Sequence, residues 1–165
     1  MSSSERRAIL CLFAALPLAA CGFTPAYAPG GPAAGLLDRV TVDAPDDKDS
    51  FDLVARLEER LGRTRAPDYR LSYRIETKTE AQAIAPDNTI NRYQVIGTVA
   101  YTLHDAATDA ALSSGKVSSF TAYSAFGTSV ATAASEADAH ARLMRLLADQ
   151  IVTRLIASSA AWNGT

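Results

Sequence analysis

The sequence predicts an α+β domain in which two helices cover one face of a four-stranded mixed sheet, in the order β-α-β-β-β-α. Two observations carry this prediction. Between Tyr69 and Tyr123 the chain alternates apolar and polar residues in three successive segments separated by turn-rich sequence. On either side of that block, apolar residues recur every three or four positions, which is helical spacing. Two amphipathic helices can cover only one face of a four-stranded sheet, so the other face is expected to stay wet or to meet a partner.

Each element follows from local pattern. Val40-Thr41-Val42 is a short β-branched run ended by Pro45 and the acidic turn Asp46-Asp47. Asp49 and Ser50 offer N-cap oxygens to a helix reaching about Arg63, with Phe51, Val54, Leu57 and Leu61 as its expected buried stripe. Asp52 with Arg56, and Glu59 with Arg63, are expected ion pairs on its solvated side. Tyr69, Leu71, Tyr73 and Ile75 alternate with Arg70, Ser72, Arg74 and Glu76, a half-buried strand continuing to about Ala83. After the turn Ala85-Pro86-Asp87-Asn88, Tyr93, Val95, Val99, Tyr101 and Leu103 point one way while Arg92, Gln94, Thr98 and Thr102 point the other. Gly97 inside this strand marks a bulge or a close approach. Leu112 to about Tyr123 reads as a third, Ser- and Thr-rich strand, expected to be less buried than the others. The last helix starts between Thr128 and Ser135, with Ala137, Ala141, Met144, Leu147, Ala148, Ile151 and Leu155 as its apolar face. Beyond Ser158 a loose tail, 159–165, is expected.

The first 36 residues read as an address and a tether. Arg6 and Arg7 precede an apolar run, Ala8 to Leu18, about half the ~20 residues that span a bilayer, so residues 1–20 read as a secretory signal peptide rather than a membrane helix. Leu18-Ala19-Ala20-Cys21 resembles the bacterial lipobox. That resemblance implies cleavage before Cys21, a diacylglyceryl group on its sulfur and an acyl group on the new amine. Two or more chains hold a protein to a bilayer effectively permanently. Gly22 follows the cysteine, where aspartate in enterobacterial lipoproteins signals inner-membrane retention, so the outer membrane is favoured. Residues 21–36 carry Pro25, Pro29, Gly30, Gly31 and Pro32 and read as a flexible Pro/Gly/Ala tether. The domain is expected to occupy 37–158. Net charge is −2 with both signs dispersed, so there is no basic footprint for nucleic acid. Cys11 lies in the removed segment, leaving no pair of cysteines for a disulfide.

With these elements in place the chain resembles the lipopolysaccharide-assembly lipoprotein family, LptE (also called RlpB). The resemblance starts at Cys21-Gly22-Phe23-Thr24-Pro25. It continues through Arg92-Tyr93, Tyr101-Thr102-Leu103-His104-Asp105 and Ala137-Asp138-Ala139 to Leu147-Ala148-Asp149-Gln150-Ile151. Two positions depart from the family pattern. Val130-Ala131 stands where a Tyr-Ala pair is common, and Thr108-Asp109-Ala110 occupies a turn that often holds glycine. The resemblance implies a non-enzymatic lipoprotein on the periplasmic side of the outer membrane. It also implies that the protein plugs the β-barrel LptD, helps it assemble, and assists delivery of lipopolysaccharide. No cofactor beyond the covalent lipid is implied.

Two candidate contact regions follow from the residues. Arg70, Arg74 and Lys78 share one strand face and Arg92 begins the partner strand. Together they form a basic strip suited to phosphates and carboxylates of a glycolipid or to a barrel wall. A solvated face neutralised by Glu76 and Glu80 is an equally good account. The hairpin tip, with Ile84, Pro86 and Ile90, is suited to insertion into a barrel or contact with lipid, against a simple flexible turn. His104 beside Asp105, and His140 near Asp138, are the only residues suggesting acid–base chemistry. Neither has a nucleophile signature or a third ligand beside it. Two rival roles are an auxiliary lipoprotein of an ABC-type lipid transporter and a purely structural envelope lipoprotein.

Overall fold

The computed structural model describes residues 26–28, 31–84, 90–125 and 127–162. The signal segment, Cys21 and Pro86 lie outside them. Strand β1 (Val40–Val42) leads through helix α1 (Lys48–Leu61) to β2 (Tyr69–Ile84), β3 (Ile90–Asp105) and β4 (Ala111–Ser124), and the long helix α2 (Ser129–Ser158) follows. The sheet order is β1-β2-β3-β4, with β1 parallel to β2 and the others antiparallel. This is the predicted mixed sheet.

Helix α1 begins two residues earlier than its expected cap. Asp47 is the N-cap: its carboxylate accepts the Ser50 N–H at 2.7 Å, and the Ser50 hydroxyl accepts the Asp47 N–H at 2.9 Å. This reciprocal box satisfies two N–H groups that a helix start leaves unpaired. The buried stripe also differs from the expected one. Leu53, Val54, Leu57 and Leu61 are buried, whereas Phe51 is 61% exposed and lies outside it. The ion pairs shift as well: Asp52 binds Lys48, Arg56 binds Glu59, and Arg63 binds Glu58. The helix ends at Gly62, whose φ of 83° is the left-handed conformation that glycine adopts without strain.

Helix α2 starts at the early end of its expected window, with Thr128 capping the Ala131 N–H. Ser135 is therefore no cap, and its hydroxyl donates to the Ala131 carbonyl inside the helix. The buried face is Ala139, Leu143, Met144, Leu147, Ala148, Ile151, Val152, Leu155 and Ile156. Ala137 is exposed and Ala141 only part-buried, whereas Ala139 between them is fully buried against β4.

Between sheet and helices lie Leu71, Val95, Val99 and Leu103 against Leu53, Leu57, Leu143, Leu147, Ile151 and Leu155, all without solvent exposure. Burying side chains of this size contributes about 1.5–3 kcal/mol each, the dominant favourable term in such a domain. At Gly97 α2 comes so close that a Cβ would stand 2.9 Å from Leu143 Cδ2, so this glycine marks a close approach. Arg56 joins the two helices through Asp149 with two hydrogen bonds of 3.0 Å. Strand β4 is better covered than expected: Val117, Thr121 and Tyr123 are buried beneath α2, and the Thr121 hydroxyl donates to the Ala139 carbonyl at 2.9 Å.

Core packing extends on both sides of 37–158. Ala33 and Leu36 are fully buried although they fall in the segment read as tether. Past Ser158, the Ser159 hydroxyl is buried against the Pro32 carbonyl at 2.9 Å, and Trp162 packs edge-on to Tyr69 at 5.3 Å. The chain through Trp162 is therefore docked rather than loose. Aromatic burial accounts for this, since an indole left in water forfeits a large apolar area.

Candidate functional site

The odd-numbered residues of β2 and β3 face the helices, so the even-numbered ones form the open face. Register fixes its rows across β2, β3 and β4. Ser72 aligns with Thr102 and Ser114, Arg74 with Ala100 and Lys116, Glu76 with Thr98 and Ser118. The next row is Lys78, Ile96 and Phe120, followed by Glu80, Gln94 and Ala122. Hydroxyls and charges dominate, with one apolar island at Ile96 and Phe120, the latter 63% exposed.

The four candidate cations have different environments. Arg70 is committed within the fold: Nη2 donates to Asp109 at 2.6 Å, and Nη1 donates to both Asp43 oxygens at 3.2 and 3.3 Å. Asp109, then Asp43, raise its pKa above the ordinary guanidinium value, and Arg70 in turn holds the Asp109 carboxyl below the usual carboxylate range. This residue ties the end of β1 to the β3–β4 turn. Arg74 is exposed and has no ion-pair partner among the described residues. Lys78, 74% exposed, donates to Glu80 at 2.7 Å, which raises its pKa. Arg92 is exposed at the far end of β3, opposite Ser124. It borders a shallow cleft of about 340 Å³ with Ser135, Asp138 and Arg142.

The strip is therefore a line rather than a cluster. Arg74 and Lys78 are about 13 Å apart along the strand, at ~3.3 Å per residue. Sequence reasoning missed Lys116, two strands from Arg74, and Phe120, two strands from Lys78. Both lay in the even phase of the third alternating segment, and only the β3–β4 register joins them to the strip. Ile84 and Ile90 are paired at the end of the β2–β3 ladder, which places them at the hairpin tip; Pro86 falls outside the described residues.

The two His–Asp neighbours in sequence are not partners in space. His104 Nε2 lies 3.1 Å from the Ser72 hydroxyl, and Nδ1 lies 3.2 Å from the Asp109 carbonyl. Asp105 turns away to accept the N–H groups of Ala107 and Thr108 and the Thr108 hydroxyl. His140 meets Asp49 of α1 at 3.0 Å, while Asp138 holds Arg142 at 2.8 Å. Both imidazoles serve as links between elements. Among the described residues no group of acidic, histidine or cysteine side chains is arranged to hold a metal ion, and no helix is long and apolar enough to cross a membrane.

Comparison with known proteins places this geometry in context. The family model LptE, Lipopolysaccharide-assembly, matches residues 37–155. No curated protein matches the chain. Among solved structures, the fold is similar to a lipoprotein of Caulobacter crescentus, at 21% identity and TM-score 0.66, covering 79% of this chain and 96% of that one. It is also similar to the rare lipoprotein B of Shewanella oneidensis, at 12% identity and TM-score 0.58, covering 76% and 97%. A minor lipoprotein of Acinetobacter baumannii matches at 15% identity and TM-score 0.59, covering 73% and 92%. At these identities the likeness is one of fold.

Proposed function

The chain belongs to the LptE lipopolysaccharide-assembly family, and from that premise we propose that it is anchored by lipid on Cys21 to the periplasmic side of the outer membrane, where it plugs an LptD-like β-barrel. In this reading the domain is a scaffold and not a catalyst. The helices cover one sheet face except along the distal part of β2, where Thr77 and Thr79 are exposed, and the open face meets the barrel wall and passing lipopolysaccharide.

The observation that carries the reading is the composition of the open face. A barrel of this class has a polar, wet interior, and a face of hydroxyls with spaced charges is compatible with it. Arg74, Lys78 and Arg92 are the contacts proposed for glycolipid phosphates or the barrel lining, because they remain exposed while the guanidinium of Arg70 is taken up by Asp43 and Asp109. A guanidinium binds phosphate through two parallel hydrogen bonds, an ammonium as a point charge. The hairpin tip with Ile84, Pro86 and Ile90 is proposed as a second contact, entering the barrel or touching lipid.

The test is co-purification of the tagged, lipidated protein with the outer-membrane barrel of its own cell. Recovery of the barrel supports the plug; recovery of inner-membrane transporter subunits instead supports an auxiliary transporter role. A second arm titrates purified lipopolysaccharide against the barrel-free protein and against the R74E/K78E variant. Weaker binding by the variant at an unchanged melting temperature supports direct contact, and equal binding removes these two residues from the site.

A further inference from the structure

The chain that follows Cys21 is fastened to one particular end of the domain. The Ala33 N–H donates to the Ala26 carbonyl at 3.0 Å, and the Arg60 guanidinium of α1 donates to the Tyr27 hydroxyl at 3.0 Å. Ala33 and Leu36 are fully buried, so this segment is part of the packed domain. By covalent geometry the five steps from Cys21 to Ala26 span at most ~18 Å. Strand β2, with 16 residues, is about 50 Å long at ~3.3 Å per residue. A lipid on Cys21 therefore holds one end of the domain near the bilayer. That end comprises the last turn of α1, the 62–68 loop and the β3–β4 turn, whose Ala106 N–H donates to the Asp68 carbonyl at 2.8 Å.

The chemistry of this end suits a membrane surface. Arg63 and Arg65 stand two residues apart in the 62–68 loop, and both are exposed. Arg65 has no ion-pair partner among the described residues. Arg63 pairs with Glu58, but its side chain is 79% exposed against 31% for the carboxylate, so the positive group is the one presented to solvent. An exposed pair of this kind contributes little in water and can exchange partners. Tyr27, also exposed, adds an amphipathic ring of the type that sits at headgroup level. Most carboxylates of this end are already engaged: Asp68 by Arg39, Asp109 by Arg70, and Asp105 by the N–H groups of its own turn. Asp38 adds exposed negative charge without such a partner among the described residues.

We infer that the 62–68 loop rests on the membrane that holds the anchor, with Arg63 and Arg65 bound to anionic phospholipid headgroups and Tyr27 at headgroup level beside them. A guanidinium takes a lipid phosphate through two hydrogen bonds. Two arginines alone would recruit a free protein only weakly. The anchor changes this, because a short connection converts their binding into an intramolecular step. Their attraction then fixes how the tethered domain sits rather than whether it is bound. The inference rests on the lipid anchor at Cys21 and not on the barrel. It also leaves Arg74, Lys78 and Arg92 free for the contacts proposed above.

The test uses the full lipidated protein in vesicles that contain neither barrel nor lipopolysaccharide. With Cys21 carrying lipid and Cys11 cleaved away, an introduced cysteine is the only thiol for a fluorophore. A dye at Ala66→Cys is expected to be quenched by a nitroxide on the lipid headgroup when the vesicles hold anionic phospholipid. A dye at Ala81→Cys, toward the far end of β2, is not. R63E/R65E is expected to lower the ratio of docked to undocked domain about tenfold or more, whereas R74E/K78E leaves it unchanged. Raising salt from ~0.1 to ~1 M shortens the Debye length from ~10 to ~3 Å and is expected to release the loop as well. Equal quenching at both dyes overturns the inference. So does Ala66 quenching that is indifferent to anionic lipid or to R63E/R65E, or that is lost in R74E/K78E. Protein that fails to float with the vesicles overturns the anchor and the inference together, while floating protein with an unquenched Ala66 dye overturns the inference alone. Circular dichroism of each variant separates these outcomes from misfolding.

Discussion

Replacing Gly97 with alanine tests the closest contact between sheet and helix. An added Cβ would stand 2.9 Å from Leu143 Cδ2, 3.0 Å from Leu147 Cδ1 and 3.2 Å from Leu143 Cγ, whereas ordinary contact begins at 3.4 Å. Both leucines are wholly buried, so neither can swing into solvent to make room. Overpacking of this kind costs about 1–3 kcal/mol. Against it stands the lower unfolded-state entropy of alanine, which contributes about 0.4–1 kcal/mol to stability at a compatible site. The net expectation is a loss of about 1 kcal/mol, or roughly 3–5 °C in melting temperature for a domain of this size. Valine, with two further carbons, should cost about 3 kcal/mol. Circular-dichroism melts and urea titrations of G97A, L143V and the double variant provide the measurement. Trimming Leu143 opens space beside the new methyl, so the double variant should be more stable than the sum of its parts by about 0.5 kcal/mol or more. A G97A melting temperature equal to or above that of the parent would refute the reasoning, as would strict additivity.

Three further outcomes are expected. Cys21→Ala should leave the domain folded and free in the periplasm; cell fractionation that still finds it wholly membrane-bound in cells without the barrel would remove the lipid anchor. Asp47→Ala breaks the reciprocal cap of α1 and should cost about 1 kcal/mol in urea unfolding. Asn at the same position keeps a cap oxygen but loses the titration. The Ser50 hydroxyl and then its N–H hold the Asp47 carboxyl below its ordinary value, so this stabilisation is complete above the unfolded-state value and fades as pH falls through the native one. Acid titrations should therefore find D47N losing less stability than the parent below about pH 4. Trp162→Ala removes the edge contact with Tyr69 and should lower stability by about 1–2 kcal/mol, while no change would leave the segment past Ser158 energetically loose.

What was legible in the chain, and what was not, divides along a physical line. A strand offers only two faces, so period two fixes which side each residue takes once one side is apolar. The even and odd sets of β2 and β3 could be read directly for this reason. A helix offers a continuous circle, and the buried arc depends on what it packs against. Packing of α1 put Leu53 inward and left Phe51 outside the buried arc, though both fit a three-to-four spacing. Ion pairs are harder still, because long side chains choose among partners that only the tertiary fold supplies. Arg56 reaches Asp149, 93 residues away, rather than Asp52 one turn back. Arg70 shows what this means for the candidate site. Its strand phase placed it correctly on the open face, yet Asp43 and Asp109, from two different connections, hold its charge within the fold. Phase therefore identifies the residues that face a partner, while the tertiary ion pairs decide which retain charge to offer. On the open face that leaves Arg74 exposed and Lys78 shared only with its strand neighbour Glu80.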